Sequence, residues 1–154
     1  MNDSANFSVS SSLLDTSCPA KDTPAMRAHR LSIANAGLGN KQAWLDLFDD
    51  NAVVHDPVGK SQHDPEGKGF AGKARLEEFW DTMIGPVDLL VIPQKRINVG
   101  DNIACVVMTS AIRIHGIKTY MEMVAIYETN DAGKLTSLKV YWDVDGASEI
   151  LSAN

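Results

Sequence analysis

From residue 24 onward, apolar positions recur every three or four residues, and after Pro86 they give way to runs rich in β-branched residues. The first pattern predicts helices and the second strands. Thr23 and Pro24 open the first helix as cap and first-turn residue, and Gly37 closes it with a backbone that tolerates positive φ. Along this helix Met26, His29, Arg30 and Ile33 share one side, so two polar groups lie on an apolar stripe. A short second helix, opened by Asn40, buries Trp44, Leu45 and Phe48, and a third carries Leu76, Phe79, Trp80 and Met83 at helical spacing. A short strand, Ala52-Val53-Val54-His55, links these two helices. Four strands then follow, 89–99, 103–115, 117–129 and 135–144, separated by polar or glycine-containing breaks of hairpin length such as His115-Gly116.

Helices first and an antiparallel sheet afterwards make an α+β domain, whose strongly curved sheet wraps the three N-terminal helices around an enclosed space. A length of 154 residues with 44% hydrophobic residues fits one domain with a real core. The formal charge of −6 sets up a field that repels phosphate backbones, so nucleic acid is not an expected partner. No apolar run approaches the roughly 20 residues that span a bilayer, and no membrane partner is expected either. Residues 1–22 are serine-rich and lack the basic start and long apolar stretch of a secretory signal. They are expected to form a flexible N-terminal extension ahead of a single domain at 23–154. Cys18 in this leader and Cys105 in an apolar strand are expected as free thiols, which fits a cytoplasmic protein.

The densest polar cluster runs from His55 to Gly69 and contains His-Asp-Pro-x-Gly twice, eight residues apart. Two His and two Asp invite a metal reading, but a loop repeat has neither the i, i+4 helix geometry nor a known ligand spacing, and no metal site is expected. In the second copy the Asp-Pro pair is turn chemistry, with Asp64 capping its own loop. The first copy ends a buried strand, which leaves two readings for Asp56. It caps its turn, or it stands against apolar walls with a raised pKa and shuttles protons. Asp56 is then expected beside Trp80, Met123 and Trp142.

The segment from Leu47 to Gly59, ending Asp56-Pro57-Val58-Gly59, resembles the bacterial Δ5-3-ketosteroid isomerases of the nuclear transport factor 2 and SnoaL-like superfamily. Gly72, Phe79 with Trp80, Gly116 with Lys118-Thr119, Ala132-Gly133-Lys134 and Trp142 extend the likeness in order over residues 24 to 145. The resemblance implies a cone-shaped barrel whose apolar cavity holds a small hydrophobic ligand such as a steroid, in a homodimer formed through the sheet. It also implies that Asp56 is the base that moves a proton from the carbon next to a ketone to a carbon two positions further on. In that family the base works with an oxyanion hole made of a Tyr and a protonated Asp. On this chain the Tyr falls on Arg30, with His29 adjacent, and the Asp falls on Ala125.

Both expected donors are therefore replaced. Arg30 or a protonated His29 would supply charge and hydrogen bonds in their place, as would a cavity donor from Tyr127, Tyr141 or Trp142. The substrate walls are expected from Phe79, Trp80, Met83, Met121, Met123, Ala125, Tyr127 and Trp142. Glu122, on the opposite strand face, is expected in solvent or at a dimer contact. The resulting expectation is a steroid Δ-isomerase-like enzyme acting without a cofactor, with Asp56 as base and Arg30 or His29 as electrophile. The alternatives are a non-catalytic binder of hydrophobic small molecules and a cyclase, dehydratase or epoxide hydrolase on the same fold. No phosphate-binding glycine motif or Ser-His-Asp context points to other chemistry.

Overall fold

The structure, a computed structural model, describes residues 18–146. Helix α1 (Pro24–Leu38) starts where Thr23 Oγ1 accepts from the Met26 amide at 3.1 Å, with Pro24 in the first turn. It ends at Gly39, whose φ of 74° turns the chain and whose N–H reaches the carbonyls of Asn35 and Ala36. Gly37 thus lies within the helix, and the second glycine is the terminator. The buried face of α1 is Ala25, Met26, Ala28, His29, Ser32 and Ile33. Ser32 takes the inward place that periodicity assigned to Arg30.

Helix α2 (Lys41–Leu45) buries Trp44 and Leu45, and Phe48 already belongs to strand β1 (Phe48–His55). This strand begins four residues earlier than expected because Asp49, Asp50 and Asn51 interrupt the apolar alternation while the backbone remains extended. A two-residue strand β2 (Phe70–Ala71), too short to carry any periodicity, pairs with β1. Helix α3 (Lys73–Phe79) passes into a π-helical turn, Trp80–Ile84, in which the Gly85 amide bonds back to the Trp80 carbonyl at 2.8 Å. A turn of this kind re-aims side chains at a helix end.

Strands β3 (Asp88–Val99), β4 (Ile103–Ile114), β5 (Ile117–Thr129) and β6 (Leu135–Tyr141) follow. The β4–β5 hairpin turns on His115 and Gly116, at φ 53° and 81°, the paired positive values a tight two-residue hairpin requires. The strand order is β2-β1-β6-β5-β4-β3. All these pairs are antiparallel except β1–β6, which is parallel. The sheet is open and curves around α1, which packs on β3, β4 and β5, so the domain is the expected α+β cone. The core fills the cone with Met26, Trp44, Phe48, Leu76, Tyr127 and Leu135, each at most 2% exposed.

Residues 18–22 run along the outside of α1 and β3. The carbonyls of Cys18, Ala20 and Lys21 accept from Arg96, Arg30 and Asn98 respectively. The rest of the expected extension, residues 1–17, lies outside the described residues. Cys18 and Cys105 are both unpaired thiols. No helix among the described residues is long and apolar enough to cross a membrane.

Candidate functional site

Asp56 emerges where β1 ends, and the chain continues along β6, with the Val58 amide donating to the Val140 carbonyl at 2.8 Å. The Asp56–Pro57 peptide is cis. Trp142 stands one residue beyond β6, the neighbour of β1, and its indole Nε1 donates to Asp56 Oδ1 at 2.6 Å. Burial pushes the Asp56 carboxyl up to about 6, and the Trp142 bond partly opposes that rise by favouring the charged form. The result is a carboxyl group that is ionised near neutrality yet basic enough to accept a proton.

The carboxyl lines a cavity of about 100 Å³ inside the cone, with walls that are largely apolar. Of the expected wall residues, Phe79, Met83, Met121, Met123, Tyr127 and Trp142 line it together with Asp56. Trp80 does not. Its ring is buried in the core 5.5 Å from that of Trp44, and Trp44 forms the wall instead. Ala125 is fully buried between Val106 and Val140 in the sheet, and its single methyl does not reach the cavity.

Neither expected electrophile reaches the cavity. Arg30 lies on the flank of α1, where its guanidinium donates to the Ala20 carbonyl at 2.8 Å and lies 3.8 Å from Asp22. His29 is fully buried and accepts at Nε2 from Arg96 Nε at 3.0 Å, with its ring edge-on to Tyr127 at 4.8 Å. Burial and the nearby guanidinium groups of Arg96 and Arg30 pull its pKa down to about 3. The imidazole is therefore neutral, and the protonated His29 that the sequence suggested is not present at ordinary pH.

Tyr127 offers the donor that these residues do not. Its phenol lines the cavity, and burial, with the negative charge of Asp56 adding to it, raises its pKa and keeps the proton in place. A hydrogen-bonding interaction with Ser32 partly opposes that rise, and Trp44 Nε1 donates to Ser32 Oγ at 3.2 Å. With Ser32 and Trp44 the phenol forms a polar part of a largely apolar cavity wall. Sequence reasoning named Tyr127 but missed Ser32 and Trp44. Ser32 sits one turn on from His29, a helical spacing that could have found it, whereas Trp44 was indistinguishable from ordinary core.

The 55–69 loop is built as a turn. The buried Asp64 carboxylate accepts from the amides of Lys68 and Gly69 at 3.1 and 2.8 Å. His55 packs beneath Gly69, where an added Cβ would sit 2.7 Å from the imidazole. Among the described residues, no three His, Cys, Asp or Glu side chains converge as a metal would require.

Many solved structures share this architecture. RV0760c from Mycobacterium tuberculosis superposes with a TM-score of 0.78 at 27% identity, covering 82% of this chain and 96% of that one. It has also been solved in complex with estradiol-17beta-hemisuccinate. The Δ5-3-ketosteroid isomerase from Mycobacterium sp. gives a TM-score of 0.76 at 31% identity over 80% of this chain and 96% of that one. A computationally designed 17-OHP binder gives 0.75 at 26% identity, covering 81% and 95%. No curated protein sequence matches significantly. The SnoaL-like domain model matches residues 33–138, most of the cone and its cavity, and the chain therefore belongs to the SnoaL-like domain family, with a ketosteroid isomerase among its structural relatives.

Proposed function

We propose that this protein is a steroid Δ-isomerase-like enzyme that moves a double bond in a hydrophobic ketone by intramolecular proton transfer. The observation that carries the proposal is the Asp56 carboxyl, bonded by Trp142 at 2.6 Å, facing an apolar cavity with its pKa raised to about 6. Asp56 takes the proton from the carbon next to the carbonyl, and the electron pair left behind is delocalised as a dienolate. The negative oxygen accepts a hydrogen bond from the Tyr127 hydroxyl, which lines the same cavity as Asp56. The Asp56 acid then returns the same proton two carbons further along, and the conjugated enone forms. An apolar wall keeps water from competing for that proton and strengthens the hydrogen bond to the oxyanion.

The relatives support the ligand class: one is a ketosteroid isomerase, another was solved with an estradiol ester and a third was designed to bind 17-OHP. The outer face of the sheet supports a homodimer. Val107, Val124 and Tyr141 lie side by side across β4, β5 and β6 and are 38%, 43% and 42% exposed.

A second reading, a binder without catalysis, is favoured by Ala125, which offers no donor at the position where the isomerases place their acid. Incubation with 5-androstene-3,17-dione separates the two. Appearance of the conjugated enone absorbance, lost in Asp56→Asn, supports the enzyme. Saturable binding without any absorbance change supports the binder.

A further inference from the structure

Below the mouth of the Asp56 cavity lies a second chamber of about 260 Å³ that shares four wall residues with it, Met83, Ile112, Met121 and Trp142. A ligand with its ketone at Asp56 and long enough to pass these shared walls would enter this second chamber. Its far walls are apolar, from Val87, Ile114 and Val144, and its polar side comes from Ser61, Gln62, His63 and Thr82. Thr82 has committed its hydroxyl proton to the helix, donating to the Glu78 carbonyl at 2.8 Å. The remaining donors belong to one small hairpin. Ser61 and Asp64 exchange both backbone hydrogen bonds, at 3.0 and 3.2 Å, and Gln62-His63 form the exposed two-residue tip. Beneath the tip, the buried Asp64 carboxylate ties the loop to the amides of Lys68 and Gly69. The tip is thus held in place by Asp64.

No Lys, Arg, Asp or Glu lines this chamber. A charged group drawn into it would lose hydration without gaining a fixed counter-charge, whereas a neutral oxygen needs only a donor. Building on the hydrophobic-ketone reading of the inner cavity, we propose that the Ser61–Asp64 hairpin is a specificity element that selects ligands carrying a neutral hydroxyl or carbonyl at the end remote from the reacting ketone, through donors at Gln62 and His63. Asp64 acts as a positioning residue through the loop.

Three saturated ketosteroids that cannot isomerise test this by binding alone, with tryptophan fluorescence as readout: 5α-androstan-3-one, its 17β-hydroxy derivative and its 17β-carboxylic acid, at pH 8. The hydroxy compound is expected to bind at least about fivefold tighter than the parent, and the acid weaker than the parent. Gln62→Ala with His63→Ala, at an exposed tip, should abolish the hydroxyl advantage, bringing the hydroxy compound to the affinity of the parent ketone in the same variant. An advantage that survives in the double variant overturns the proposal, as does tightest binding of the acid. If the parent ketone itself fails to bind, the hydrophobic-ketone reading of the inner cavity falls and takes this inference with it. If the parent binds without discrimination, the inference alone falls.

Discussion

Trp142 Nε1 donates to Asp56 Oδ1 across 2.6 Å, joining two residues 86 positions apart in the chain that come together because β1 and β6 are parallel neighbours. This bond holds the carboxylate at the cavity wall and sets its basicity between two opposing effects. Burial raises the pKa and the indole lowers it, leaving it at about 6.

Replacing the indole should therefore move the pH profile. Trp142→Phe keeps an aromatic wall and removes the donor, so the Asp56 carboxyl should become harder to ionise. The midpoint of the kcat/KM rise with pH should shift upward from about 6 by about one to two pH units, since a hydrogen bond to a charged group contributes about 1.5–3 kcal/mol. An unmoved midpoint would show that another group sets the profile.

Asp56→Asn should separate activity from stability. Loss of the base should lower kcat about 100- to 10,000-fold, with ligand affinity retained because the amide keeps the shape. In the folded protein the carboxyl holds its proton more tightly than the ordinary 3.8, so its contribution to stability is present in full below about pH 4 and is lost as pH rises through about 6. The asparagine variant lacks that loss. Its melting temperature should exceed the parent's at pH 7, with the difference closing near pH 4, and the gain is bounded by about 3 kcal/mol.

Much of the fold could be read from the sequence because each element carries its own period. Thr23-Pro24 marks the helix start, and the β3–β5 meander is set by alternation and the His115-Gly116 turn. The place of Asp56 at the end of an apolar strand was legible too, but the strand pattern left it as either a turn cap or a base, and only the family resemblance favoured the base. Tyr127 and Trp142 were named among the cavity donors, but the inward side of α1 was not legible. Whether Arg30, His29 or Ser32 points inward depends on the rotation of α1 against the sheet, and the helix end read at Gly37 falls at Gly39 instead. The π-helical turn after Phe79 is likewise invisible to a 3.6-residue period, and it decides that Met83 reaches the cavity while Trp80 stays behind Trp44.

Tyr127→Phe tests the donor assigned to the enolate oxygen. The ring keeps the wall intact and only the hydroxyl is lost, so kcat should fall about 100- to 1000-fold with a small change in KM. Affinity for equilenin, a phenolic steroid that mimics the dienolate, should fall in parallel. Arg30→Ala, which removes a side chain held at the Ala20 carbonyl, should leave both unchanged.

The outer sheet face makes a separate prediction. Val124 lies between Val107 and Tyr141 in the row of exposed apolar residues. Val124→Lys puts an unpaired charge at the centre of that face and should convert a dimer to a monomer by light scattering, with the far-UV spectrum unchanged. A parent that is itself monomeric at micromolar concentration would contradict the sheet-mediated dimer.

The account rests above all on Asp56 carrying a proton from the carbon beside a bound ketone to the carbon two positions further on, and a deuterium placed at the first carbon reads that step. 5-Androstene-3,17-dione deuterated at C4 and incubated with the protein in H2O at pH 7.5 should give the conjugated enone at least about 100-fold faster than in buffer, with deuterium carried to C6 as followed by NMR, and Asp56→Asn should abolish the gain. Isomerisation at the buffer rate with the ketone demonstrably bound, or equal rates in parent and variant, would contradict it.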